Sequence, residues 1–203
     1  MNDSTFTLLL RGAVSTFVQP AEAAEYLIKV RPRALYVAYV VTLVTLGALA
    51  AGMVSLVPEE ALGSIEVPLT GEFVSARAAM LVLIGIATIG PFVVALPQAF
   101  LLLGVLKGLD AARTPFRELY RLSIWKVYSA TLGFYVAYRV LEGVIGPQPQ
   151  LGHYLYSGIS AVYTYAVLRA VSGITPLRAG IGAGMAVSLL HIVRAIADIP
   201  VTV

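Results

Sequence analysis

The feature that most constrains this chain is a stretch of 29 residues, Ala78–Leu106, that contains no charged side chain. A second uncharged stretch, Tyr36–Val57, runs for 22 residues. A helix needs about 20 consecutive apolar residues to cross the hydrocarbon core of a bilayer, so both stretches are long enough. Each of them predicts a membrane-spanning helix.

The composition of the whole chain agrees with this prediction. The chain has 203 residues, of which 59% are hydrophobic and 12% are charged. A soluble domain has about 25% charged residues. Because half the usual charge does not cover a water-exposed surface of this size, a soluble globular enzyme is disfavoured.

Three further apolar stretches follow, and each keeps its charged residues near one end, where an arginine can reach the membrane interface. We therefore predict an all-α fold, a polytopic transmembrane bundle of five spans within residues 36–203, preceded by a cytoplasmic segment, residues 1–35. Strands are not expected, because the apolar segments do not alternate with polar positions. The predicted spans are 36–57, 78–106, 127–145, 154–171 and 179–197.

The lysines and arginines give this bundle an orientation. With five spans, eleven of the 14 basic residues fall on one side of the membrane, and only Arg77, Arg139 and Arg194 fall on the other. Cytoplasmic loops carry an excess of basic residues. The distribution therefore predicts a cytoplasmic N-terminus and a C-terminus outside.

The segment before the first span is predicted to contain a helix that begins at Pro20, because proline is favoured in the first turn of a helix. We expect this helix, residues 20–30, to lie on the membrane surface with Tyr26, Leu27 and Val30 facing the bilayer.

Two Thr-Pro pairs precede later spans, Thr114-Pro115 before span three and Thr175-Pro176 before span five. Both are typical of helix starts, with the threonine as N-cap and the proline in the first turn. The alternative is that the two segments form a paired cytoplasmic docking surface.

The basic residues on the cytoplasmic side form a candidate surface for anionic lipid headgroups or for a protein partner. The alternative is that they are only the ordinary topology signal. The candidate residues of this basic surface are Lys29, Arg31, Arg33, Arg113, Arg117, Arg121 and Lys126.

A second candidate site is a polar cluster near the outer interface. Span five carries small residues four apart, Gly180, Gly184 and Ser188, which allow helices to approach closely. We expect this face, with His191 and Asp198, to pack against protein, and span three to offer a similar row at Ala130, Gly133 and Ala137. The cluster is predicted to comprise Arg139, Glu142, His191, Arg194 and Asp198.

Two interpretations of the polar cluster remain open. It joins helices and anchors them at the interface, or it forms a proton or ion site. Transporters commonly have broken helices with polar groups at mid-depth, and the only sign of such a break is Pro91 and Pro97 in span two, where a simple kink is expected.

Motifs that carry chemistry are missing from the sequence. There is no cysteine, no pair of histidines at the spacing of metal ligands, and no phosphate-binding or hydrolase motif. The net charge of +3 is too small to indicate nucleic-acid binding. We therefore expect a protein that is not an enzyme and has no cofactor, metal site or nucleic-acid partner.

The order of these features resembles the Yip1-domain family of five-span membrane proteins. The resemblance rests on the proline-led helix 20–30, on the basic, glycine-containing loop 106–121, on the turn 169–176, and on the small residues after Arg178. It implies a cytoplasmic N-terminus and no catalytic residues. Eukaryotic members are associated with small GTPases and vesicle traffic, whereas this chain is similar to compact prokaryotic members.

These expectations favour a non-enzymatic integral protein of a prokaryotic cell membrane that organises membranes through lipid or protein contacts. Its expected partners are membrane lipids, with other membrane proteins or further copies of the same chain as additional candidates. The alternatives are a small transporter or channel that uses the polar cluster, and an accessory subunit of a larger membrane complex.

Overall fold

The computed structural model describes residues 4–66, 73–111, 114–146 and 148–196 of the chain. Within these ranges the chain forms eight helices and two short strands. The elements are α1 (Thr5–Ser15), α2 (Pro20–Lys29), α3 (Pro32–Leu56), α4 (Glu59–Leu62), β1 (Ser64–Glu66), β2 (Phe73–Ser75), α5 (Ala76–Gly108), α6 (Phe116–Ile145), α7 (Pro149–Ser172) and α8 (Pro176–Ile196).

The helical fold class is confirmed, and apart from Val57 the described part of each predicted span falls within one long helix, α3, α5, α6, α7 or α8. Among the described residues, α3 and α5 are long and apolar enough to cross a membrane, with mean hydropathies of 2.1 and 2.5. Only 6% and 11% of their most apolar segments are buried. Helix α5 continues without interruption through Pro91 and Pro97.

The helix ends follow most of the local signals in the sequence. Helices α2 and α8 begin at Pro20 and Pro176, as predicted. The Thr175 hydroxyl accepts a hydrogen bond from the backbone N–H of Arg178 at 3.5 Å. Helix α7 ends at Gly173, whose φ of +61° lies in the left-handed region that glycine adopts without strain.

The prediction that Thr114 caps the next helix is wrong. The residue before the first turn of α6 is Pro115, which has no side chain that can cap. The Thr114 hydroxyl instead donates to the carbonyl of Val171 at 3.0 Å. This threonine therefore joins the α5–α6 loop to the end of α7, 57 residues further along the chain.

The expectation that no strands form is also wrong for one short segment. Strands β1 and β2 pair antiparallel between α4 and α5, with Ser64 opposite Ser75 and Ile65 opposite Val74. The pattern did not reveal them because three-residue strands are too short to show a clear alternation.

The contacts divide the chain into two compact units. The smaller unit, residues 36–93, contains most of α3, the β hairpin and the first half of α5. Helices α3 and α5 approach closely at Gly47, where an added Cβ would lie 2.6 Å from Oγ1 of Thr88. Arg77 donates to the carbonyl of Val57 at the start of the loop.

The larger unit groups the N-terminal segment, residues 1–35, with residues 94–203. In it, α7 packs against α6 and α8, and α2 packs against α1, α6 and α7. The expectation that Leu27 and Val30 face the bilayer is therefore wrong, because both are buried against protein. Tyr26 is half-buried, and its hydroxyl donates to Glu22 at 2.7 Å.

The buried position of α2 explains why the first half of α6 is also buried. Nearly every residue from Leu119 to Ala130 is covered. Trp125 lies in this segment and packs edge-on against Tyr163 of α7, with the ring centroids 5.3 Å apart. The hairpin formed by α1 and α2 thus covers a helix segment that the sequence assigned to a cytoplasmic loop.

Candidate functional site

The predicted basic surface is divided by the structure into exposed and buried residues. Lys29, Arg31, Arg33 and Arg117 are exposed, as a contact surface requires. Arg113 lies outside the described residues. Arg121 and Lys126 are 2% and 1% exposed, so the prediction that they belong to a contact surface is wrong.

Arg121 holds the end of α2 in place. Its guanidinium donates from Nη1 to the carbonyl of Val30 at 3.0 Å and from Nη2 to the carbonyl of Ile28. The last carbonyls of a helix have no partner within the helix and carry partial negative charge. The buried arginine satisfies them, and its role here is to fix α2 against α6.

Lys126 has no comparable partner. Its ammonium group forms no hydrogen bond or ion pair with any residue in the described ranges. Burying a charged group without a partner costs several kcal/mol unless other interactions offset it. Burial lowers the pKa of the Lys126 ammonium to about 8.

The two Thr-Pro loops lie beside the same cavity, which has a volume of about 600 Å³. The hydrogen bond from Thr114 to Val171 joins the α5–α6 loop to the end of α7. Arg169 donates to the carbonyl of Ile174 at 2.7 Å and so fixes the α7–α8 turn. The two loops, which are about 60 residues apart in the sequence, form one polar surface patch.

Charged groups of both signs line this cavity, which we call the loop cavity. Asp110 and Glu118 contribute carboxylates from the α5–α6 side, and Arg178 contributes a guanidinium from α8. Asp110 has a φ of +53°, in the left-handed region. Such a lining can form hydrogen bonds and ion pairs with a polar segment of another protein, but it contains no nucleophile paired with a base.

The predicted outer polar cluster is found as two separate pairs. Arg139 and Glu142 form an ion pair within α6, with Nη1 and Oε2 2.8 Å apart. His191 of α8 shares a hydrogen bond of 2.8 Å with Ser157 of α7. Among the described residues, no hydrogen bond or ion pair joins the two pairs.

The remaining members of that cluster are only partly described. Arg194 lies in α8, where the structure describes its backbone and not its side chain. Asp198 lies outside the described residues. The Arg139 guanidinium also stacks over the ring of Tyr135, 5.4 Å from its centroid. On α6 the charged groups therefore anchor one another at an exposed helix end.

The packing face of α8 differs from the predicted one. Gly180, Gly184 and Ser188 are exposed, as is His191. The buried residues of α8 lie on the neighbouring face and are Ala179, Gly182, Ala183 and Ala186. A Cβ at Gly182 would lie 2.9 Å from Cδ1 of Leu168, whereas a Cβ at Gly184 would meet no atom within 4 Å.

Two of the three small residues predicted on span three, Ala130 and Gly133, lie at contacts with other side chains, whereas Ala137 lines a groove. Ala130 is buried, and a Cβ at Gly133 would come within 4 Å of side chains from α7 and from Phe17. Sequence analysis did not identify Thr16 or Ser157 as important residues. Thr16 accepts hydrogen bonds from Trp125 and Tyr163, which are 109 and 147 residues away in the sequence. Because the partners are so distant, no sequence pattern near Thr16 indicates either contact.

No protein-family model, curated protein or solved structure matches the chain.

Proposed function

We propose that this chain is a non-enzymatic integral membrane protein of Yip1-like type, with five spans, a cytoplasmic N-terminus and a C-terminus outside a prokaryotic cell membrane. It acts through lipid and protein contacts at its cytoplasmic end. The observation that carries the proposal is that only 6% and 11% of the most apolar segments of α3 and α5 are buried.

The exposed side chains of α3 extend over more than one face, although Leu35 and Leu43 are buried. Val37, Val40 and Leu49 are 48% to 61% exposed, and at 100° per residue they point in three different directions. A single partner helix covers one stripe of a helix. Hydrocarbon covers all sides, so this exposure supports a lipid environment.

The larger unit supports the same conclusion through its distribution of polar groups. Arg121, Lys126 and Thr164 are buried, whereas Val136 and Val140 on the later part of α6 are 55% and 66% exposed. A soluble protein buries apolar side chains and exposes charged ones. The exposed valines on the later part of α6 favour contact with lipid.

The contact surface of the proposed function consists of the exposed basic residues and the loop cavity. Lys29, Arg31, Arg33 and Arg117 supply positive charge for anionic headgroups. The loop cavity supplies carboxylates and a guanidinium for a polar protein segment. In the proposed orientation both surfaces lie on the cytoplasmic side.

The proposed topology can be tested with single cysteines, because the chain has none of its own. Asp110→Cys and Thr175→Cys are expected to resist a membrane-impermeant maleimide in intact cells and to react after lysis. Glu60→Cys and Gln148→Cys are expected to react in intact cells. Labelling of all four positions from the same side would contradict five spans.

The proposed contacts can be tested by native mass spectrometry of the full chain after mild detergent extraction. We expect retained anionic phospholipid, and less of it after Arg31→Gln with Arg33→Gln. Arg139→Gln with Arg77→Gln removes two cations assigned to the outer side and serves as the matched control. Loss of lipid that is equal in both double variants would contradict the assignment of the basic surface.

Two measurements distinguish the proposed function from its alternatives. In the same mass spectra, stoichiometric association with other subunits would instead indicate an accessory subunit of a complex. Ion flux in vesicles that is lost in Glu142→Gln would instead indicate a transporter or channel.

A further inference from the structure

We infer that an apolar groove between α6 and α7 binds the acyl chain of a membrane phospholipid. The turn between α1 and α2 closes one side of the groove, which has a volume of about 510 Å³. This inference rests on the proposed topology and specifies one lipid site within it. The lining includes Phe17, Leu132, Gly133, Val136, Val162 and Tyr163.

The depth of the groove determines what can fill it. Leu132 and Ala137 lie five and ten residues past the start of span three, which is about 8 and 15 Å at 1.5 Å per residue. Val162 lies about 14 Å from the cytoplasmic end of span four by the same rise. One leaflet contributes about 15 Å of hydrocarbon. The groove therefore lies within the cytoplasmic leaflet, where only hydrocarbon or protein is available.

The polar groups around the groove already have partners. The Tyr163 hydroxyl donates to the carbonyl of Thr16 at 3.0 Å. The Thr16 hydroxyl accepts from Nε1 of Trp125 at 3.2 Å and donates to the carbonyl of Gly12 at 2.7 Å. These bonds satisfy the carbonyls of Gly12 and Thr16 at the end of α1, which matters where water is excluded. The groove offers an occupant only dispersion contacts, which suit an acyl chain.

The groove is continuous with an apolar face of α6. Val136, Val140 and Val144 follow one another at four-residue spacing and are 55%, 66% and 77% exposed. On α7, Val162 is 51% exposed beside the groove. A lipid of the cytoplasmic leaflet that contacts the exposed side chains of Val136 and Val162 can therefore place one chain in the groove.

The single tryptophan of the chain reports on this site. Trp125 is 4% exposed, so lipid outside the protein does not touch it. Its ring packs against Tyr163, which lines the groove. Bromine atoms on an acyl chain quench tryptophan fluorescence only at short range. A brominated chain in the groove is therefore expected to quench Trp125.

The experiment uses the full chain in vesicles of phosphatidylcholine that carries bromine at one position along the acyl chain. We expect quenching that is strongest for mid-chain bromine and that saturates at a low fraction of brominated lipid. Ala137→Phe, which fills the groove, is expected to lose most of the quenching. Val140→Phe changes the same helix outside the groove lining and is expected to retain it.

A milder variant keeps the test valid if Ala137→Phe does not fold. A Cβ at Gly133 would meet its neighbours at 3.8 and 3.9 Å, so Gly133→Ala is expected to fold and to weaken the quenching. Absence of quenching in the parent chain, or equal quenching in all variants, would overturn the inference. Crosslinking between copies through Val136→Cys would also overturn it, because a second chain would then occupy the groove.

The topology labels show which proposal has failed. If the cysteine labels confirm five spans and quenching is absent, only the lipid site is wrong. If the labels contradict five spans, the proposed function fails as well.

Discussion

The structure and the sequence disagree about which glycine lets α8 pack closely, and a pair of alanine substitutions decides between them. In the structure a Cβ at Gly182 would lie 2.9 Å from Leu168, 3.0 Å from Leu109 and 3.1 Å from Val105. Leu168 approaches from α7, and Val105 and Leu109 approach from the end of α5, so the added Cβ is crowded from two sides. Overpacking of this kind costs roughly 1–3 kcal/mol.

Alanine also gains about 1 kcal/mol over glycine in a helix interior. For Gly182→Ala the two effects oppose each other, and we expect a net loss of about 1 kcal/mol from the free energy of unfolding. Gly184→Ala is the matched control, because a Cβ there meets no atom within 4 Å. It is expected to gain up to about 1 kcal/mol.

The measurement is thermal unfolding of the purified variants in one detergent. A chain of this length shifts its Tm by about 2–4 °C per kcal/mol. The predicted difference of about 2 kcal/mol therefore places Gly182→Ala roughly 4–8 °C below Gly184→Ala. If Gly184→Ala is instead the less stable variant, the face of α8 that contains Gly180 and Gly184 is the one that packs. The packing face described here, which contains Gly182, would then be wrong.

Three further substitutions test the interior of the larger unit. Arg121→Met leaves the carbonyls at the end of α2 unsatisfied and is expected to lower the free energy of unfolding by about 2–4 kcal/mol. The control, Arg117→Met at an exposed position, is expected to change it by less than about 0.5 kcal/mol. Chemical unfolding measures both variants. Lys126→Met removes the charge of a side chain that is 1% exposed and is expected to stabilise the fold by about 1–4 kcal/mol, read from the same unfolding curves. Thr114→Val loses the bond to the α7 end and is expected to cost about 1 kcal/mol by thermal unfolding.

Each of these three predictions has an outcome that contradicts it. Equal effects of the Arg121 and Arg117 variants would mean that Arg121 does not hold α2. A destabilised Lys126→Met protein would show that the ammonium has a partner that stabilises it. Thr175→Val removes a weaker bond of 3.5 Å, so a larger loss there than at Thr114 would contradict the described loop contact.

The positions of the long helices could be predicted because their signals are local. Long apolar runs predict α3 and α5, and prolines mark the first turns of α2 and α8. These features act within a few residues of the helix they define. A sequence pattern therefore locates them without any knowledge of the tertiary fold.

The faces of the helices could not be predicted in the same way. Small residues occur on two neighbouring faces of α8, and only the positions of Leu109 and Leu168 decide that Gly182 is the one in contact. The burial of Arg121 depends on carbonyls that are 91 and 93 residues away. Charge alone predicted an exposed position for this arginine, because nothing near it in the sequence reveals its partner.

Helix α6 shows how the hairpin of α1 and α2 and the proposed membrane fit together. At 30 residues it is about 45 Å long, which exceeds the ~30 Å of hydrocarbon that a span must cross. Its first half is covered by protein and contains the buried Arg121 and Lys126. Its second half exposes valines at four-residue spacing, starting at Val136. The covered part of α6 thus ends at the depth at which lipid contact is proposed to begin. The hairpin provides protein contacts for the part of α6 that contains Arg121 and Lys126. One continuous helix can therefore carry two buried cations before its lipid-exposed segment.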